Sequence, residues 1–159
     1  MPPLDLRHGL HGEPHYPLPL HGRQRGLKGN PAVSVQIELN VDHWRHGFGL
    51  WVFHHKSDDQ FIGRGGLKTC QIDGKNIVGF TYAVMPDYCN QDFATEMAQA
   101  SLEVGLGHLG FPKIGSWTLP GNLASQRVME KLGFRYERDF EFAGLLHRFY
   151  RLVKGEWNG

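Results

Sequence analysis

Apolar and polar positions alternate from Ala32 onward. Val33, Val35, Ile37 and Leu39 carry the apolar phase, which predicts a strand. Val41 to His46 fits either its continuation or the end of a helix. Leu50 to Phe53 reads as a buried strand, Ser57 to Gln60 as a turn, and Phe61 to Leu67 as a second strand, so the two form a hairpin. Asp73-Gly74 suits a tight turn that needs positive φ. The next strand runs from Ile77 to Val84 and ends at Met85-Pro86-Asp87. Phe93 to Leu109 is predicted as a helix, with Met97, Ser101, Leu102, Gly105 and Leu109 on one stripe, stopped by Gly110-Phe111-Pro112. Lys113 to Thr118 is a strand. Asn122 caps a second helix, whose buried face is predicted at Ala124, Val128 and Leu132, and Gly133 takes the left-handed C-cap position. Tyr136 to Phe142 and His147 to Val153 close the chain as a hairpin across Ala143-Gly144. The order predicts an α/β (α+β) domain, a mixed sheet with helices packed on both faces.

Residues Met1 to Pro31 break this texture. They are rich in Gly, Pro, His and Arg, lack an apolar period, and are expected to form an irregular segment ahead of a single domain over 32–159. His8, His11, His15 and His21 lie there with no Cys and only Asp5 and Glu13 as carboxylates, so a polar tail is expected rather than a metal site. Across the 159 residues the formal net charge is +1, with no block of like charges. That predicts neither a nucleic-acid nor a membrane-surface partner. The longest apolar run, Phe48 to Phe53, is too short to span a bilayer, and no basic-then-apolar leader precedes it, so a cytoplasmic location is expected. Cys70 and Cys89 have no metal or redox spacing and read as free thiols.

The segment Val78 to Glu96 carries the candidate chemistry. A strand, a short polar loop and a helix start follow one another, and the loop Cys89-Asn90-Gln91-Asp92-Phe93-Ala94 lies at the helix N-terminus. Unsatisfied amides and the helix dipole favour an anion there, and Ala94 is small enough for close approach.

Together with Phe61 to Leu67, Gly79 to Pro86, Phe93 to Glu96, Asn122 to Phe134 and Phe142 to Tyr150, this segment resembles the GNAT superfamily of acetyl-CoA-dependent N-acetyltransferases. The similarity covers roughly Trp44 to Leu152 and is nearest the Rim-type branch, which acetylates ribosomal-protein N-termini and small amines. It implies a sheet splayed between the strand ending at Val84 and the strand containing Trp117. Pantetheine would pair with the backbone of Tyr82, Ala83 and Val84. Cys89, Asn90, Gln91, Asp92, Phe93, Ala94 and Thr95 would hold the pyrophosphate, and Asn122 and Ser125 would lie beside the thioester. An acceptor amine, on a small molecule or a protein N-terminus, would attack that thioester directly, in a monomer or homodimer, with acetyl-CoA as co-substrate. Ser125 is the candidate acid, since Met129 stands where many relatives carry a tyrosine. Glu96, Tyr82 and His147 are candidate bases.

The chain departs from the family pattern in its loop. The family places a glycine where this chain has Asp92, often a glycine where it has Asn90, and commonly Arg, Gln or Trp where it has Cys89. Two unit charges about 4 Å apart repel by ~1 kcal/mol in water and ~4 kcal/mol at a surface-like dielectric. Asp92 is also a good helix N-cap, and capping would occupy the amides a phosphate needs. The alternative function is therefore a GNAT-fold binding or scaffold protein impaired in catalysis.

Overall fold

The computed structural model describes residues 45–159, Lys56 excepted. The expected segment 1–31 with its histidines, the expected strand over Val33 to Leu39, and residues 41–44 lie outside the described residues. Within them the strands are β1 (Leu50–His54), β2 (Phe61–Ile72), β3 (Lys75–Val84), β4 (Lys113–Thr118), β5 (Arg135–Phe142) and β6 (Leu145–Val153). The α-helices are α1 (Phe93–Leu102) and α2 (Leu123–Lys131). The strands form one sheet in the order β1-β2-β3-β4-β6-β5.

Both two-residue hairpins follow from their turns. Asp73 (φ 50) and Gly74 (φ 74) close β2 onto β3, and Ala143 (φ 52) and Gly144 (φ 76) close β5 onto β6. Positive φ at both central positions matches the right-handed twist of paired strands. β2 reaches Ile72, beyond the expected end at Leu67, because its whole length pairs with β3 from Gly63↔Val84 to Ile72↔Lys75.

β3 and β4 are parallel and pair only at Gly79↔Gly115. Both positions are glycine for a steric reason. A Cβ on Gly79 would stand 2.7 Å from the Trp117 ring, and one on Gly115 would stand 2.8 Å from the Phe149 ring. Trp117 and Phe149 stack at 6.3 Å, so an aromatic layer covers the point where the halves of the sheet meet. Beyond it the Ser116 hydroxyl donates to the Phe80 carbonyl at 3.1 Å, and backbone pairing ends there.

Both described helices pack into one cluster, in which Leu67 and Phe80 of the central strands and Ile114 and Leu152 meet Ala98 and Leu102 of α1 and Met129 of α2. They therefore share one face of the sheet, so among the described residues the helices lie on one face where packing on both was expected. Ile72, Phe140 and Phe149, with Trp117 against them, form a separate apolar cluster.

Two expectations about helix faces need correction. α1 passes into a π-helical stretch over Glu103–His108, ended by Leu109 N–H on Val104 O at 2.8 Å. The wider turn advances the phase, so Leu109, expected in the buried stripe, is exposed. In α2, Ala124 is exposed and Val128 and Leu132 are only half-buried, while Gln126 and Met129 are buried. The expected face was rotated from the real one because a polar residue, Gln126, takes an inward position.

Candidate active site

The site lies where β3 leaves β4. Backbone groups alternate sides along a strand. Met85 N–H bonds Ile62 O on β2, and Phe80 O faces Ser116 on β4. By the same parity the N–H and C=O of Tyr82 and Val84 face the gap, where no β4 pairing reaches them. Ala83, grouped with them as a binding residue, has its backbone on the β2 side, opposite Arg64.

Past Val84 a short 3-10 turn, Pro86–Tyr88, leads into the loop. Asn90 (φ 59) and Asp92 (φ 61) both adopt the left-handed conformation. Asn and Asp are the non-glycine residues that enter this region most readily. That explains how they occupy positions where the resembling family uses glycine. Asp92 sits at the N-cap position of α1 but makes no side-chain cap bond. The expectation that its carboxylate would occupy the helix amides is thus overturned: in the left-handed conformation the side chain turns away and ion-pairs with Lys131 Nζ at 2.9 Å.

The first bond of α1 runs from Glu96 N–H to Asp92 O at 3.1 Å. The amides of Phe93, Ala94 and Thr95 precede it and have no intrahelical acceptor. The side chains of Phe93 and Thr95 are buried, so these residues can offer a ligand backbone only. Phe93 packs edge-on against Tyr88 at 5.8 Å and against His55 at 5.8 Å, which anchors the loop to the β1–β2 connection. Gln91 donates to Asp87 O at 2.9 Å, and the Cys89 thiol contacts Met85 O at 3.6 Å. Both side chains thus brace the loop from within.

Across the gap, Asn122 accepts the Ser125 N–H at 3.1 Å, the expected cap. The Tyr82 hydroxyl lies 3.3 Å from Ser125 Oγ and donates to it, joining β3 to α2 over the opening. Burial pushes the Tyr82 phenol above its ordinary value of 10.0, and the Ser125 hydrogen bond pulls it partly back. Tyr82 is therefore a neutral donor near pH 7, which removes it from the candidate bases. His147 is spent on the β5–β6 turn: its Nδ1 lies 2.9 Å from Leu145 O and its ring packs on Phe140 and Phe142. Glu96 is in the first turn of α1. Met129 is only 1% exposed and belongs to the core.

The structure thus brings Tyr82, Val84, the start of α1, Asn122 and Ser125 around one opening. Sequence reasoning missed Lys131 and Gln126. Lys131 closes the last turn of α2, where a cation has a dipole reason to stand, and nothing in the order of residues pairs it with Asp92. Gln126 is buried beneath Ser125, and the misread phase of α2 hid it.

A family model described as an acetyltransferase (GNAT) domain matches residues 17–135 of the chain. An uncharacterized protein of Bacillus subtilis (strain 168), YkkB, is 31% identical over 114 residues, covering 71% of this chain. The chain spans 66% of that relative's length. Among solved structures, the ribosomal-protein-S5-alanine acetyltransferase from Vibrio fischeri superposes with a TM-score of 0.65 at 17% identity, over 89% of this chain and 75% of that one. The structure of yncA from Salmonella typhimurium, with its cofactor acetyl-CoA, gives 0.63 at 16% identity, over 79% of this chain and 76% of that one. The likeness to these two structures is one of fold.

Proposed function

The chain belongs to the GNAT acetyltransferase family, and from that premise and the geometry of the opening we propose that it transfers an acetyl group from acetyl-CoA to a primary amine, of a small molecule or a protein N-terminus. The observation that carries the proposal is the uncapped start of α1. The amides of Phe93, Ala94 and Thr95 and the helix dipole can receive a diphosphate, because Asp92 makes no cap bond and its carboxylate pairs with Lys131 instead. The edge of β3 at Tyr82 and Val84 lies alongside, with donors and acceptors suited to the amides of a pantetheine arm.

Acetyl-CoA would supply a thioester whose carbonyl carbon accepts the amine nitrogen. The C–N bond forms as the C–S bond breaks, one amine proton passes to water, and the departing thiolate takes a proton. In this reading Ser125 gives that proton. Tyr82 donates to its Oγ, which leaves the Ser125 hydrogen free to point outward, and Tyr82 can replenish it and regain its own proton from water. Asn122 fixes the first turn of α2, and with it Ser125.

Isothermal titration with acetyl-CoA tests binding, with saturable heat expected. No heat and no thermal shift at millimolar ligand would refute it. Amine acetylation assayed with Ser125→Ala tests the acid; kcat is expected to fall on the order of 10²-fold, with affinity for acetyl-CoA retained.

A further inference from the structure

Gln126 has a buried position and a fully used carboxamide. Its Nε2 donates to Pro120 O at 2.7 Å and to Leu119 O at 3.4 Å. Its Oε1 accepts from Arg148 Nη1 at 3.3 Å and from the Tyr150 hydroxyl at 3.3 Å. An amide nitrogen has two hydrogens and an amide oxygen two lone pairs, so every bond the side chain can make is made. The orientation is unambiguous, since a flipped amide would set carbonyl against carbonyl and donors against donors.

These partners belong to different parts of the site. Leu119 and Pro120 form the connection from β4 to α2 that carries Asn122. Arg148 and Tyr150 lie on β6, paired with Thr118 and Ser116 of β4. Gln126 therefore ties the connection and the first turn of α2 to the sheet. Successive helix residues are about 100° apart. With Gln126 held toward β6, its neighbour Ser125 is turned toward Tyr82 on β3.

We propose that Gln126 is the positioning residue that sets the rotation of α2 and so keeps Ser125 in contact with Tyr82 and facing the reacting thioester. The role of Ser125 as acid rests on the function proposed above, but the Gln126–Ser125–Tyr82 coupling can be tested without the cofactor. Gln126→Glu keeps the shape and the Arg148 and Tyr150 bonds but has no donor for Leu119 O or Pro120 O. Gln126→Met removes all four bonds at similar volume.

The test is NMR of the full chain with 13C-labelled tyrosine Cζ, the Tyr82 signal being assigned through Tyr82→Phe. Ser125→Ala moves that signal by removing the contact. Gln126→Met and Gln126→Glu are expected to move it in the same direction, with the fold retained. A Tyr82 signal at its wild-type position in Gln126→Glu would overturn the proposal, even where Gln126→Met fails to fold. In turnover, both variants are expected to lower kcat on the order of ten- to a hundredfold, while the dissociation constant for acetyl-CoA stays within about threefold, because the cradle is built on α1. Equal losses in kcat and affinity would reduce Gln126 to a general stabiliser. If the wild-type protein neither binds nor transfers acetyl groups, the proposed function fails, and the NMR comparison still decides the coupling.

Discussion

Asp92 shows how one dihedral angle decides the meaning of a residue. In an extended N-cap it would take the helix amides for itself. At φ 61 its carboxylate reaches across to Lys131 instead. The pair is exposed, so its net strength is small, and a residual repulsion toward a bound diphosphate is expected to persist. Asp92→Asn keeps a residue tolerant of the left-handed region and removes the charge. It should tighten acetyl-CoA binding up to about fivefold, within ~1 kcal/mol, whereas Lys131→Gln should weaken it; titration calorimetry reads both, and a weaker Asp92→Asn complex would defeat the electrostatic account. Asp92→Ala separates backbone from charge: the left-handed conformation costs an ordinary side chain ~1–2 kcal/mol, seen as a lower melting temperature. The left-handed loop was legible in principle, because Asn and Asp at the family's glycine positions favour such φ values. The Lys131 partner was not legible, since a contact between residues of separate helices leaves no local pattern.

The elements were read well where a period or a turn defines them. β1, β4, both tight turns, the Asn122 cap and the Gly133 C-cap, at φ 88, stand where alternation and turn chemistry put them. The reading failed where burial is polar or the period changes. Gln126 faces inward because its hydrogen bonds are satisfied there, and the π-helical end of α1 alters a spacing the sequence shows as regular. β3 and β4 join at one pair of glycines, and no periodicity announces the join. Gly79→Ala tests that join. Its methyl would drive into the Trp117 ring, so a loss of ~1–3 kcal/mol is expected in chemical denaturation, with weaker acetyl-CoA binding as Tyr82 and Val84 shift. Unchanged stability would mean that Trp117 yields freely and the close approach is not what sets the gap.

At the scale of the molecule, the burial that assembles the site also fixes its response to pH. Burial pushes the Cys70 thiol above 9.0, against a smaller opposing pull from Lys68, and pushes the Tyr82 phenol above 10.0. Both groups hold their protons in the fold after the unfolded chain has begun to release them. Their contribution to stability is therefore complete below about pH 9 and is lost as pH rises through the raised values. Melting temperatures measured from pH 8 to 11 should fall along this limb. Cys70→Ala should flatten its lower part and Tyr82→Phe its upper part, and an unaltered slope in both variants would assign the alkaline loss to other groups. The same shift bears on chemistry. A phenol that stays protonated through neutral pH can support Ser125 as a donor to a departing thiolate and cannot abstract a proton from the amine. Tyr82→Phe should accordingly lower kcat at pH 7 while leaving the affinity for acetyl-CoA close to that of the wild type. A loss of affinity alone would instead make Tyr82 a wall of the cofactor channel.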